Sequence, residues 1–198
     1  MNLLTHELPT AVEIDGAEVA INTDFRDALR VILAFEDDEL VAVEKRLVLL
    51  SSLYAEPPQN MMAAFEQGVK FLNGGEVPDP DDEPGPRLYS FEQDARFIFA
   101  AFRATHGLDL STVELHWWAF LALFFDLGQD TTFCQLVALR KRVKSGKASK
   151  EEKQAAREMG DVFELAEPDT RTAEEREREA EFMRIVEGGK RKRAEVNA

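Results

Sequence analysis

The sequence predicts a mainly α-helical protein: a small N-terminal β-hairpin followed by a multi-helix bundle, with a charged C-terminal helix and a disordered end. Three observations lead there. Apolar residues recur at three- and four-residue spacing through most of the chain. Residues with cap chemistry, Ser90, Ser111, Asp130 and Ser149, stand just ahead of the stripes in the second half. Only one stretch alternates with a period of two, and Asp15-Gly16 divides it.

The elements follow in chain order. Ala11 to Ile14 and Ala17 to Ile21 alternate apolar with polar around Asp15-Gly16, whose backbone freedom suits a type I′ turn. A lone hairpin is marginal in water, so it must lean on the helices. Thr23 or Asp24 then caps a helix to about Phe35, with Phe25, Ala28, Leu29, Ile32 and Leu33 on one face. A second helix is expected over about Glu39–Tyr54, where Glu36-Asp37-Asp38-Glu39 would place negative charge at its start. A third runs from about Pro58 to Asn73 and stops at Gly74-Gly75.

Residues 76–87 break this pattern. Four of the eight prolines lie among Asp and Glu from Glu76 to Pro86, so an extended acidic loop is expected. A calcium loop is the alternative, but the spacing does not match an EF-hand. The organisation is therefore 1–75, hairpin plus helices; 76–87, linker loop; 88–166, a helical region forming one domain with 1–75; and 167–198, a charged tail.

In the second helical region Ser90 and Gln93 have the spacing of a capping box, opening a helix to about Thr105 with Phe91, Ala95, Ile98 and Phe102 in a stripe. Gly107 ends it. Ser111 and Glu114 repeat the box ahead of a Trp-rich helix that closes at Leu127-Gly128. Asp130 caps a helix to about Val143, and Ser149 with Glu152 opens one to about Leu165. From Thr172 the tail alternates Glu with Arg, then carries Phe182, Ile185 and Val186 before Gly188-Gly189 and the basic run Lys190–Arg193. It reads as a helix that forms on docking.

Composition narrows the function. The net charge is −14, of which −12 falls in residues 1–90 and −2 in residues 91–198. Phosphate polyanions and anionic membranes repel such a chain, so neither nucleic acid nor membrane is an expected partner. Hydrophobic residues make up 44% and include 14 phenylalanines, enough for a real core. The single cysteine, Cys134, excludes an internal disulfide framework and fits a reducing compartment. The N-terminus lacks a basic leader, and the longest apolar run, Trp117 to Phe125, falls short of the ~20 residues that span a bilayer. A cytoplasmic location is the expectation.

Signatures of catalysis are absent from the sequence: it has no phosphate-binding glycine loop, nucleophile elbow or zinc helix. His6, His106 and His116 are not spaced to share a metal, and Cys134 has no histidine tied to it by pattern. His106, at a helix end, suits terminal carbonyls, and His116 suits a hydrogen-bonded core or interface position rather than a general base. No catalytic residue, cofactor or metal site is expected. The basic stretch Arg140, Lys141, Arg142, Lys144, Lys147, Lys150 and Lys153 is the strongest polyanion candidate, but it holds no aromatics for base stacking. A solvated turn between helices explains it, and so does contact with an acidic surface.

The most distinctive segment is Leu115-His116-Trp117-Trp118-Ala119-Phe120-Leu121-Ala122-Leu123-Phe124-Phe125, apolar nearly all round a helix. Such a helix is either the centre of the core or shared with a partner. On the second reading Trp117, Trp118, Phe120 and Phe124, with Phe182 and Ile185 of the tail, are the candidate partner-binding residues.

These residues carry a resemblance. Tyr89-Ser90-Phe91-Glu92-Gln93-Asp94-Ala95, Ile98-Phe99-Ala100-Ala101-Phe102, the His-Trp-Trp segment and Asp130-Thr131-Thr132-Phe133 resemble the bacteriophage gene-product-fifteen family of siphophages. Pro9, the hairpin and Ile21-Asn22-Thr23-Asp24-Phe25-Arg26 match its N-terminal plan, and Arg140 fits its basic residue after the Asp-Thr-x-Phe motif. The likeness spans about residues 8–165, and the tail after 168 departs from it. Family members are encoded beside tail genes, ahead of the tape-measure gene. The resemblance therefore implies a non-enzymatic tail-assembly chaperone in the host cytoplasm, or else a minor structural component of the tail or connector. The implied partners are the tape-measure protein or other tail proteins, with self-association as a further expectation.

Overall fold

The hairpin forms where expected. Strands β1 (Ala11–Ile14) and β2 (Ala17–Ala20) pair antiparallel, with Val12 opposite Val19 and Glu13 opposite Glu18. Asp15 and Gly16 have φ of 52° and 79°, the positive pair that a type I′ turn requires. Val12, Ile14 and Val19 lean on the core, while Glu13 and Glu18 face solvent.

The computed structural model describes residues 4–56, 58–76 and 85–166. Among these, seven α-helices follow the hairpin: α1 (Phe25–Glu36), α2 (Ala42–Leu53), α3 (Met61–Leu72), α4 (Ala95–His106), α5 (Trp117–Phe125), α6 (Thr132–Lys144) and α7 (Lys150–Met159). A 3-10 turn, Gly160–Val162, comes after α7, and Met1–Ala166 form one compact unit. The expected loop falls at 77–84 outside the described residues, as does the whole tail 167–198 with Phe182, Ile185 and the basic run.

Helix α1 packs on α2 and α5, α3 on α2 and β1, α4 on α5 and α6, and α6 on α7. The close approach of α2 and α3 depends on Gly68: a Cβ there would lie 2.7 Å from Leu49 Cδ2. Tyr54, just past α2, donates its phenol hydrogen to Ala64 O at 2.7 Å and joins the same two helices.

Several helix starts differ from the sequence expectation, each for a local reason. Helix α1 is capped by Asp24, whose carboxylate accepts from Arg26 N, but its buried face is Phe25, Ala28, Val31 and Ala34. Leu29 and Ile32 are only partly buried. Helix α2 opens at Ala42, three residues after Glu39, because Glu44 reaches back to Val41 N at 2.9 Å. Helix α3 is capped by Asn60, and α6 by Thr131 rather than Asp130. The Ser149–Glu152 capping box is present, but α7 stops at Met159.

The two other expected boxes do not form. Ser90 Oγ accepts from Glu92 N and Gln93 N, but Gln93 does not return to Ser90; its amide holds Glu164 O and Ala166 N instead. The Ser90 amide goes to Asp94, and α4 begins only after Asp94. Ser111 turns back to Asp109, so α5 starts six residues later, at Trp117. At the other end of α4, Gly107 has φ 69° and closes the helix as expected.

Candidate partner-binding surface

The Trp-rich helix owes its place to a reciprocal cap. The first free amides of α1 and α5 are bonded by the residue preceding the other helix's cap: Phe25 N to Leu115 O at 3.0 Å and Trp117 N to Thr23 O at 2.7 Å. His116 is the N-cap of α5. Its Nδ1 accepts from Trp118 N at 3.0 Å while Nε2 meets Pro9 O at 3.0 Å. A backbone amide can only donate and a carbonyl can only accept, so the ring is the neutral tautomer with its hydrogen on Nε2.

The two indoles then complete the other end of α3, where helix carbonyls lack partners. Trp117 Nε1 donates to Leu72 O at 2.9 Å and Trp118 Nε1 to Phe71 O at 2.8 Å. Gly75, at φ +90°, lies against the Trp118 ring, and a Cβ there would come within 2.8 Å of Cη2. Phe120 sits at the centre of the aromatic core, with ring centroids 5.0 Å from Phe25, 4.9 Å from Phe102 and 5.4 Å from Trp117.

This placement puts the helix at the centre of the core, the first of the two readings its sequence allows, and not at a surface shared with a partner through Trp117, Trp118, Phe120 and Phe124. All four are buried, because α5 is short and is covered by α1, α3 and α4. The large side chain of α5 left outside is Phe125, 76% exposed. Phe182 and Ile185 lie outside the described residues.

The basic stretch is also divided by the fold. Arg140 is not a surface cation: it is 1% exposed and pairs with Asp94, itself 1% exposed. Among the other cations, Arg142 pairs with Glu152 at 2.8 Å and Lys144 donates to Arg87 O at 2.8 Å. Lys141, Lys147, Lys150 and Lys153 are exposed around the α6–α7 turn, as a solvated turn requires.

The surface that sequence reasoning missed is the C-terminal end of α1. Two cavities flank its last turn, and Glu36 lines both. The smaller, about 310 Å³, is walled by Val31, Ile32, Phe35, Leu49, Val69 and Leu72 together with Glu36 and Asn73. The larger, about 510 Å³, is lined by Leu33, Asp37, Asp38, Arg87, Glu92 and Gln93 among others.

Charge at this end is one-sided. Because α2 opens late, Glu36-Asp37-Asp38-Glu39 lies past the end of α1 instead of opening the next helix. The helix dipole is negative there, and α1 has no basic residue in its last turn. Two cations offset part of it: Arg87 pairs with Glu36 at 2.8 Å, and Lys45 donates to Phe35 O at 3.0 Å. No cation pairs with Asp37 or Glu39 among the described residues. The field extends inward: Tyr89's phenol pKa is pushed up, first by burial and then by the Glu36 charge. The sequence did contain a signal for this site: an aromatic, Phe35, followed by four carboxylates where a helix could end.

The residues considered for chemistry have structural occupations. His106 Nε2 meets Leu123 O at 2.9 Å, a carbonyl of the last turn of α5 rather than of its own helix. Cys134 is half-buried, with Sγ 3.5 Å from Leu127 O. Among the described residues no three His, Cys, Asp or Glu side chains are grouped to hold a metal ion, and no helix is long and apolar enough to cross a membrane.

Comparison with known proteins matches the chain to the family model described as Bacteriophage Gp15 protein, over residues 4–165. Neither the curated proteins nor the solved structures give a match.

Proposed function

Because this chain belongs to the Bacteriophage Gp15 protein family, we propose that it is a non-enzymatic tail-assembly chaperone of a siphophage. It holds an apolar-striped tail protein, above all the tape-measure protein, soluble in the host cytoplasm until tail subunits polymerise around it. The observation that carries this reading is the family match over residues 4–165. Two features support it. A net charge of −14 keeps a complex with an aggregation-prone client in solution. The residues most suited to chemistry, His106, His116 and Cys134, are each tied to backbone groups within the fold.

Co-expression tests it. The chaperone reading expects this chain to retain fragments of the tape-measure protein in a pull-down and to raise their soluble fraction. Fragments that stay soluble alone and are not retained would end it. Mass spectrometry of purified virions separates the structural alternative: a chaperone is absent from them, whereas a tail or connector component is present at fixed stoichiometry.

A further inference from the structure

We infer that the C-terminal end of α1 is a docking surface for a basic, apolar-striped helix from another protein chain. The inference supplies the binding site that the assembly reading lacks once the Trp-rich helix is found buried. It rests on that reading for the biological source of the partner, but not for its chemistry.

The chemistry follows from the two cavities. The smaller one is lined mostly by apolar side chains, with Ile32, Phe35 and Leu72 incompletely covered, so an apolar side chain entering it removes hydrocarbon from water on both sides. The larger one is lined by Asp37 and Glu92, with Arg87 held against Glu36, so a Lys or Arg side chain can rest its stem on Leu33 and bring its charge to Asp37 and Glu92. Glu36 lines both, so the two anchor points are neighbours at the end of α1. A helix that carries an apolar stripe and cations beside it offers both kinds of side chain from one element.

Charge complementarity selects the sign. The carboxylate run and the negative pole of α1 coincide, which is unfavourable in the isolated chain and is only partly offset by Arg87 and Lys45. A cationic partner relieves this; an acidic helix with the same apolar stripe adds to it.

The test uses the full 198-residue chain and two synthetic, end-blocked 18-residue helical peptides. Both carry Leu at i, i+3, i+4 and i+7; one has Lys and the other Glu at the remaining positions. Fluorescence anisotropy gives affinity, and hydrogen exchange read by mass spectrometry gives location. The Leu/Lys peptide is expected to bind and to protect amides of residues 31–39 and 69–73, and the Leu/Glu peptide not to bind. Asp37→Lys with Glu39→Lys is expected to weaken binding about tenfold or more. Glu13→Lys with Glu18→Lys, the same change in net charge on the exposed hairpin face, is expected to change it less than twofold.

Equal weakening by both double variants would show that net charge alone attracts the peptide and would overturn the inference. So would comparable binding of the Leu/Glu peptide, no binding of either, or protection centred on α5 or α7. Concentration-dependent protection of residues 31–39 without peptide would assign the surface to a second copy of this chain, also against the inference. Peptide binding at α1 together with failed retention of tail-protein fragments would leave the surface standing and remove the chaperone reading.

Discussion

The guanidinium of Arg140 and the carboxylate of Asp94 form a buried two-point pair, Nη1 to Oδ2 at 2.6 Å and Nη2 to Oδ1 at 3.0 Å. All five guanidinium hydrogens are used, because Nε donates to Phe163 O, Nη1 also to Leu88 O, and Nη2 also to Val162 O. The pair thus joins α6, the start of α4, the loop segment at Leu88 and the turn after α7. Asp94 is the N-cap residue of α4 yet makes no side-chain cap bond, since its carboxylate faces Arg140 and the Ser90 amide.

Breaking this pair should be among the most damaging single changes. Arg140→Met leaves a buried carboxylate without its cation and three carbonyls without the guanidinium donors, for an expected loss of about 3–5 kcal/mol in urea unfolding. Arg140→Met combined with Asp94→Leu should cost clearly less than the two single changes summed, because no charge is then stranded. Additive losses in the double-mutant cycle would contradict the coupling.

Gly75 and Gly16 separate close packing from backbone strain. Both have positive φ, but only Gly75 faces a wall, the Trp118 ring 2.8 Å from a would-be Cβ. Gly16→Ala should cost about 1–2 kcal/mol, the left-handed backbone penalty alone. Gly75→Ala should exceed it by about 1–3 kcal/mol of overpacking and alter the Trp near-ultraviolet circular dichroism. Matching losses for the two variants would count against the contact.

His116 serves two backbone groups at once, the Trp118 amide and the Pro9 carbonyl, and two substitutions tell them apart. His116→Ala removes both the cap of α5 and the bond to Pro9 O, while His116→Asn keeps a cap acceptor and drops the Pro9 bond. About 1 kcal/mol should separate the two in thermal unfolding, with Ala the less stable. Increased hydrogen exchange near residues 8–10 is expected in both.

Tyr54 makes stability fall at high pH. Burial pushes its phenol from 10.0 up to about 12. The raised value means the folded state keeps the proton while the unfolded chain has lost it, so this contribution is complete below pH 10 and is lost as the pH rises towards 12. Within that window each pH unit removes up to about 1.4 kcal/mol. Tyr54→Phe should be less stable at pH 7 by about 1 kcal/mol, through loss of the bond to Ala64 O, but should show a shallower decline above pH 10. Absorbance at 295 nm reports the titration directly, since the chain has 2 tyrosines and Tyr89 is also shifted upward. Phenol ionisation in the native protein near pH 10 would refute the burial argument.

Much of the fold was written in local chemistry. The Asp15-Gly16 turn, the helix stop at Gly107 and the Ser149–Glu152 box each depend on residues a few positions apart, and all three form. The mainly α class with one hairpin follows from spacing of two against spacing of three and four. The helix starts were less legible where a cap residue had a distant competitor. Ser90 and Ser111 carry the right chemistry, but Asp94 is drawn to Arg140, and the segment before α5 pairs with the start of α1.

The sequence by itself determined the mainly helical class, the hairpin, the uneven charge and an all-round apolar helix too costly to leave in water. Only the tertiary structure decided which apolar surface is spent inside. Residues 115–125 look the same in sequence whether a helix is central or shared; packing by α1, α3 and α4 makes this one central. It also decided that one cation of the basic stretch is a buried tie, and that four carboxylates lie at the wrong pole of a helix beside an open apolar cavity. Those outcomes depend on contacts between residues tens of positions apart, whose geometry no local spacing encodes.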